Sequence, residues 1–311
     1  MTLTPAPDAA ARRPGPAPSA SPVPSVLPSP SVSPSPSVPP SRSVPPSLVL
    51  RVCCEFGLTA VLLLGVVTGV RWLFAPDGYG GGGAAFAVLG AGVGALLAAL
   101  MLSAPGRRSG AHLNPAVTLA LWRLGAFPGR DVLPYCLAQL GGSVAGTWLG
   151  AVVWGPVVAR PPVGYAAVRP GPGWGEGAVV AAEAGVLAVS ALMLAGLLAR
   201  PVGRRLLPYA VGLVTALVIA LLGPLTGGSA NPARQFGPAL LAWEAGGTGP
   251  LLWAYVAGPV LGAVAGAALW RRPGGGGRAD SRARGSVTGL SAPGKPRPRK
   301  PGPRKPELRK S

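Results

Sequence analysis

Residues 110–122, GAHLNPAVTLALW, and residues 229–243, SANPARQFGPALLAW, place the tripeptides Asn114-Pro115-Ala116 and Asn231-Pro232-Ala233 in matched surroundings, once in each half of a 311-residue chain. Each tripeptide reads as a helix start. Asn is a favoured N-cap, and proline fits the first helical position because its missing N–H would have no intrahelical partner there. Long apolar stretches flank both motifs. A helix that begins inside a membrane must bury its free backbone groups against protein or a watery cavity. Two such half-helices in corresponding places mark the solute site of an inverted-repeat transport protein.

Six apolar stretches surround the motifs, at about 49–73, 84–104, 132–154, 177–199, 206–223 and 250–270, each close to the roughly 20 residues a helix needs to cross the hydrocarbon core. A composition 49% hydrophobic and 12% charged, with mean hydropathy +0.44, fits a chain that crosses the membrane many times. The halves repeat. Glu55 lies in the first stretch and Glu183 in the fourth; the third carries Gln139, Gly142 and Gly146 where the sixth carries Pro259, Gly262 and Gly266 at the same spacing. Three spans followed by three related spans must run in opposite senses through the bilayer. The expected fold is an all-α membrane protein with six transmembrane helices, two re-entrant half-helices and an inverted 3+3 repeat. Glycine and alanine at the repeated positions let helix backbones approach where lipid supplies no hydrophobic drive.

Charge is segregated. Residues 1–47 are mostly Pro, Ser, Ala and Val, cannot bury enough apolar surface to offset the entropy of ordering, and are read as a disordered tail without a signal-peptide pattern. Residues 48–270 form the channel-like domain. Residues 271–311 form a basic tail, with thirteen Lys and Arg against Asp280 and Glu307, which supplies +11 of the formal +19. Such a stripe can bind nucleic acid, but beside so much apolar sequence it reads as a cytoplasmic segment facing acidic lipid, with no nucleic-acid partner. Arg107, Arg108, Arg123, Arg130, Arg200, Arg204 and Arg205 fall between spans on one side; on the other, Arg71 lies at the end of the first span and Arg160 and Arg169 in the loop between the third and fourth. The majority places both termini in the cytoplasm of a multi-pass protein of the plasma (inner) membrane. Cys53, Cys54 and Cys136 all fall in spans and are expected as free thiols. One His, and no nucleophile beside a base, leave no catalytic constellation; no enzyme activity, metal or cofactor is implied.

Taken together, GAHLNPAVTLALW, AQLGGSVAG, SANPARQFGPAL, GPVLGAVAGA and the two glutamates resemble the aquaporin, or major intrinsic protein, family over roughly residues 50–270. The resemblance implies half-helices meeting at mid-membrane, one pore per subunit, a homotetramer, and passage of water and small neutral solutes. Asn114 and Asn231 would cap their helices with the side-chain oxygen and offer the amide to the pore. Arg234 matches the arginine of the family's constriction. Counting without gaps from the two Asn residues gives the other three constriction positions as Gly94, Ile219 and Gly228. Two glycines and an isoleucine imply a wide filter with one greasy wall, similar to plant nodulin-like members and aquaglyceroporins, which suits glycerol, urea or metalloid acids. Glycerol facilitators resemble one another in an Asp where this chain has Gln235 and a Pro where it has Tyr255.

His112 matches a family position two residues before the first Asn and is read as a structural or pore-lining hydrogen-bond group. Glu55 and Glu183, duplicated symmetrically, are read as acceptors for the backbone of the re-entrant loop in their own half. Alternatives are a strictly water-selective pore, which an aromatic or His filter would favour, and an ion-coupled secondary transporter, for which two symmetric acids are the only coupling candidates.

Overall fold

The computed structural model describes residues 46–243 and 251–271. The expected disorder of residues 1–47 falls, but for its last two positions, outside the described residues, as does the basic tail beyond Arg271. Among the described residues six helices are long and apolar enough to cross a membrane: α1 (Leu48–Phe74), α2 (Gly83–Leu102), α5 (Val132–Trp154), α6 (Glu176–Leu198), α7 (Pro201–Thr226) and α9 (Leu252–Arg271). Between them lie a one-and-a-half-turn helix α3 (Ala104–Ser109) and two half-helices, α4 (Pro115–Arg123) and α8 (Pro232–Ala242).

Local chemistry explains the boundaries. Ser47 caps α1 by accepting from the Leu50 N–H at 3.3 Å. Ser103 caps α3 through the Gly106 N–H at 3.1 Å, which ends α2 at Leu102, two residues before the apolar stretch does. The fifth span is longer than its apolar stretch. It starts at Pro201, a first-turn position where proline costs nothing, and continues through Pro208 and Pro224 to Thr226. In lipid the alternative to a helix is unpaired backbone, so a proline that would stop a helix in water is tolerated.

Small residues set the packing. Gly146 of α5 lies against the Ala60 backbone of α1, and Gly266 of α9 against the Ala188 backbone of α6; a Cβ on either would collide with a carbonyl. These contacts occupy equivalent places in the two halves. On the opposite flank α2 meets α7 in the same way, with Gly94 against the Gly212 backbone. Van der Waals contact between backbones is what holds helices together where lipid offers no competing drive. At the end of the bundle where α1 begins, Arg51 of α1 pairs with buried Asp131, just before α5, at 2.7 Å. At the opposite end, Arg71 pairs with Asp77 of the α1–α2 loop at 2.9 and 2.7 Å.

Candidate functional site

The half-helices start alike. Asn114 and Asn231 have nearly identical backbones, at φ −155°, ψ 116° and φ −155°, ψ 112°. The Asn114 Oδ1 accepts from the N–H groups of Ala116 at 2.9 Å and Val117 at 3.3 Å; the Asn231 Oδ1 accepts from Ala233 at 2.9 Å. The amides cross over. Asn114 Nδ2 donates to the Ala230 carbonyl at 2.9 Å, and Asn231 Nδ2 donates to the Leu113 carbonyl at 2.9 Å. One donor of each amide is therefore spent on the other half of the molecule, and one is left to turn toward a solute.

Leu113 and Ala230, immediately before the two Asn residues, sit in the left-handed region at φ 52° and 47°, a conformation that costs a side-chain-bearing residue about 1–3 kcal/mol. The glutamates hold it. The Glu55 carboxylate accepts from the N–H groups of His112 at 3.1 Å and Leu113 at 2.9 Å, and the Glu183 carboxylate from Ser229 at 3.1 Å and Ala230 at 2.5 Å. With their N–H groups turned back onto a carboxylate, these loops offer their remaining polar groups to the space between the halves. Gln139 joins the first set, donating to Glu55 at 2.8 Å and to the Thr118 hydroxyl at 3.1 Å. Pro259 holds the matching position in α9 and can make neither bond.

A cavity of about 250 Å³ passes both Asn residues. Phe74, Phe86 and Val168 border one end, Met101 and Leu207 the other. α1, α2, α6 and α7 line it chiefly with apolar side chains, Ser190 and Thr215 among the exceptions, and the re-entrant loops and Arg234 contribute further polar lining. His112 lies on the wall with Nδ1 3.1 Å from the Thr118 hydroxyl, its ring against Phe127 and Tyr135. Ile219, Gly228 and Arg234 border the cavity together.

Gly94 does not. It is buried in the α2–α7 contact, where a Cβ would lie 3.0 Å from the Ala216 Cβ and closer still to the Gly212 carbonyl. The residues that α2 turns to the cavity are Phe86, Leu89, Val93, Leu97 and Met101, and Leu89 is the one within a turn of Phe86 on the side of Gly94. The gap-free count runs through the connection that contains α3 and lands on the face of α2 that packs against α7.

The sequence pattern described as major intrinsic protein matches residues 44–270. The chain belongs to the major intrinsic protein family. As a major intrinsic protein it is 42% identical to the probable aquaporin AqpM of Archaeoglobus fulgidus over 57% of this chain and 72% of that one. It is 36% identical to the propanediol uptake facilitator PduF of Citrobacter freundii over 52% and 71%. It is 34% identical to the glycerol uptake facilitator protein of Haemophilus influenzae over 57% and 78%. The X-ray structure of the aquaglyceroporin from Plasmodium falciparum superposes with a TM-score of 0.62 at 24% identity, covering 72% of this chain and 96% of that one, a likeness of fold.

Two features of this major intrinsic protein site escape sequence reading. Arg234 donates through Nη1 to the Ala166 carbonyl at 2.6 Å, so its direction depends on the segment between α5 and α6. Gln235, fully buried, holds that same segment by accepting from the Val168 N–H at 2.9 Å and donating to the Val168 carbonyl at 3.1 Å. Gln235 stood out in the sequence only as a departure from the glycerol-facilitator Asp; its backbone partner, 67 residues earlier, carries no side-chain signal.

Proposed function

We propose that this chain is a passive membrane channel that lets water and small neutral solutes through and excludes protons and ions. The observation that carries this reading is the reciprocal bond between Asn114 and Ala230 and between Asn231 and Leu113, which brings two half-helix N-termini to one level of a continuous cavity. Each N-terminus is equivalent to about half a positive charge. Paired half-helix dipoles raise a barrier to cations in aquaporin-type pores. The Asn114 and Asn231 amides and the Arg234 guanidinium supply donors to the cavity, whose lining from α1, α2, α6 and α7 is chiefly apolar. The proposed filter consists of Leu89, Ile219, Gly228 and Arg234. Relatives named aquaporin, propanediol facilitator and glycerol facilitator support the solute class.

A homotetramer in the inner membrane with cytoplasmic termini completes the reading. Exposed arginines at 107, 108, 200, 204 and 205, all on the side where α2 ends and α7 begins, support that orientation. Mass measurement of the detergent-solubilised protein tests the tetramer, and labelling of a Ser311→Cys variant with an impermeant reagent on intact cells tests the topology. The function is tested by stopped-flow light scattering of proteoliposomes, shrunk in sucrose and re-swollen in glycerol, urea and boric acid. Rapid re-swelling is expected. Water flux without solute entry would leave the strictly water-selective pore, and flux that follows a proton or sodium gradient would end the channel reading.

A further inference from the structure

Ser143 of α5, fully buried, hydrogen-bonds into a helix other than its own. Its hydroxyl donates to the Ala233 carbonyl of α8 and accepts from the Gly237 N–H at 2.9 Å. It therefore spans the i→i−4 rung that would otherwise join those two backbone groups. Ser190 and Thr147 instead bond back to their own helices, Ser190 to the Val186 carbonyl and Thr147 to the Ser143 carbonyl, each at 2.8 Å, the usual habit of such hydroxyls in a helix. Ser143 gives up that bond and reaches across. Glycine at 237 permits the approach, since a Cβ there would lie 2.5 Å from the Ser143 Oγ. The next rung of α8 has no backbone donor either, because Pro238 carries no N–H for the Arg234 carbonyl.

The other half is built differently at the same crossing. At the spacing that pairs Gly142 with Gly262 and Gly146 with Gly266, Ser143 corresponds to Ala263. Counted from the two Asn residues, Ala233, Arg234, Gly237 and Pro238 correspond to Ala116, Val117, Ala120 and Leu121. Ala263 shares a buried apolar cluster with Ala116 and Ala120. Methyl groups thus make the contact where the half-helix carries Val117, and a hydroxyl makes it where the half-helix carries Arg234.

We propose that Ser143 is a positioning residue for Arg234: by bridging the Ala233–Gly237 rung from α5, it fixes the turn of α8 that carries the arginine and so the point at which the guanidinium meets a solute. The inference rests on the channel reading above. Without the hydroxyl, the Gly237 N–H and the Ala233 carbonyl are left to each other and can close the ordinary rung. Neither group is then stranded, so the fold loses little. What changes is the tie between that turn and α5, and with it the place of Arg234, the residue next to Ala233.

The test uses the full chain in proteoliposomes, with glycerol and water permeabilities corrected for empty vesicles. Ser143→Ala, which copies the Ala263 contact, is expected to raise the glycerol-to-water ratio about fivefold, the factor set by one hydrogen bond's worth of fixing. Ser143→Cys, whose thiol is a weak donor, is expected to shift the ratio the same way by less, and decides the question if the alanine variant is not monodisperse. The same change is then made in an Arg234→Ala background, where it should move the ratio no further, since a residue that acts through the arginine has nothing left to position. Arg234→Lys, which keeps the charge without the planar fork, serves as the background if Arg234→Ala does not fold. A wild type that passes neither water nor glycerol above empty vesicles would remove the channel reading itself. A conducting wild type whose ratio is unchanged by the Ser143 substitutions, or is changed by the same factor with and without Arg234, would overturn this assignment alone.

Discussion

Tyr135 and Tyr255 make the same bond in opposite halves of the molecule: the Tyr135 hydroxyl donates to the Ser109 carbonyl at 2.7 Å and the Tyr255 hydroxyl to the Thr226 carbonyl at 2.6 Å. Both carbonyls end a helix, α3 or α7, that leads into a re-entrant loop. Both side chains are fully buried. Each loop is therefore held at two points, by a glutamate on its N–H groups and by a tyrosine at the helix end before it. Tyr255, which in the sequence only marked a departure from the proline of glycerol facilitators, is half of a symmetric support.

Removing either hydroxyl leaves a buried carbonyl without that donor. Tyr135→Phe and Tyr255→Phe should each lower stability by about 1–2 kcal/mol, seen as a fall in the temperature at which half the detergent-solubilised protein stays monodisperse. A large loss in one and none in the other would mean that the two bonds are not equivalent.

Glu183→Gln should cost more. The carboxylate takes two N–H groups at once, and an amide can accept with one end only while presenting N–H to the other donor. Two charge-assisted bonds are disturbed, to the N–H groups of Ser229 and of Ala230, whose backbone is left-handed. A loss of roughly 2–4 kcal/mol is expected, with water permeability falling as the second loop loosens. Full permeability and unchanged thermal stability together would contradict a supporting role.

The fold was legible because its signals are local or periodic. Asn-Pro-Ala announces a capped helix, six apolar stretches announce spans, and the spacing of Gly142 and Gly146 against Gly262 and Gly266 announces the repeat. Register across a loop is a different kind of information. α2 carries two stripes at helical spacing: Leu89, Val93 and Leu97 facing the cavity, and Gly90 and Gly94 facing α7. Counting back from Asn114 through α3 landed on the second stripe. Contacts of a side chain with a distant stretch of backbone, such as Gln235 with Val168, leave no trace in the residue type of the backbone partner.

That distinction predicts different phenotypes on one helix. Gly94→Ala drives a methyl group into the Gly212 backbone and should destabilise the α2–α7 contact by about 1–3 kcal/mol while leaving solute selectivity as it was in whatever protein folds. Leu89→Ala removes bulk from the proposed filter and should raise glycerol entry relative to water. The two are separated by comparing melting temperature with the glycerol-to-water permeability ratio.

Asp77 gives a pH dependence of known sign. Its carboxylate is fully exposed and accepts two bonds from Arg71, whose hydrogen bonding holds it below the usual carboxylate range. A carboxylate with a depressed folded-state pKa contributes stability that is present above the unfolded value, near pH 4, and is lost as pH falls through the folded one. Asp77→Asn should therefore melt below wild type at pH 7, and the difference should close as both are titrated toward pH 3. A gap that persists unchanged at low pH would show that the charge is not its source.

Gln235 offers the sharpest test of how Arg234 is aimed. The guanidinium is fixed by the Ala166 carbonyl, and that stretch of chain is tied down two residues later, where Gln235 pairs with both backbone groups of Val168. Leucine nearly matches glutamine in size but supplies neither bond, so Gln235→Leu should leave the Val168 N–H and carbonyl unpaired at a cost of about 1–3 kcal/mol and let the segment carrying Ala166 shift. Arg234 keeps its charge but loses its fixed direction. Cation exclusion, which depends on charge, should then survive, whereas discrimination by solute size, which depends on where the guanidinium stands, should weaken, with four-carbon erythritol entering vesicles that wild type keeps closed to it. Lower stability with an unaltered solute profile would mean that Ala166 alone is enough to aim the arginine.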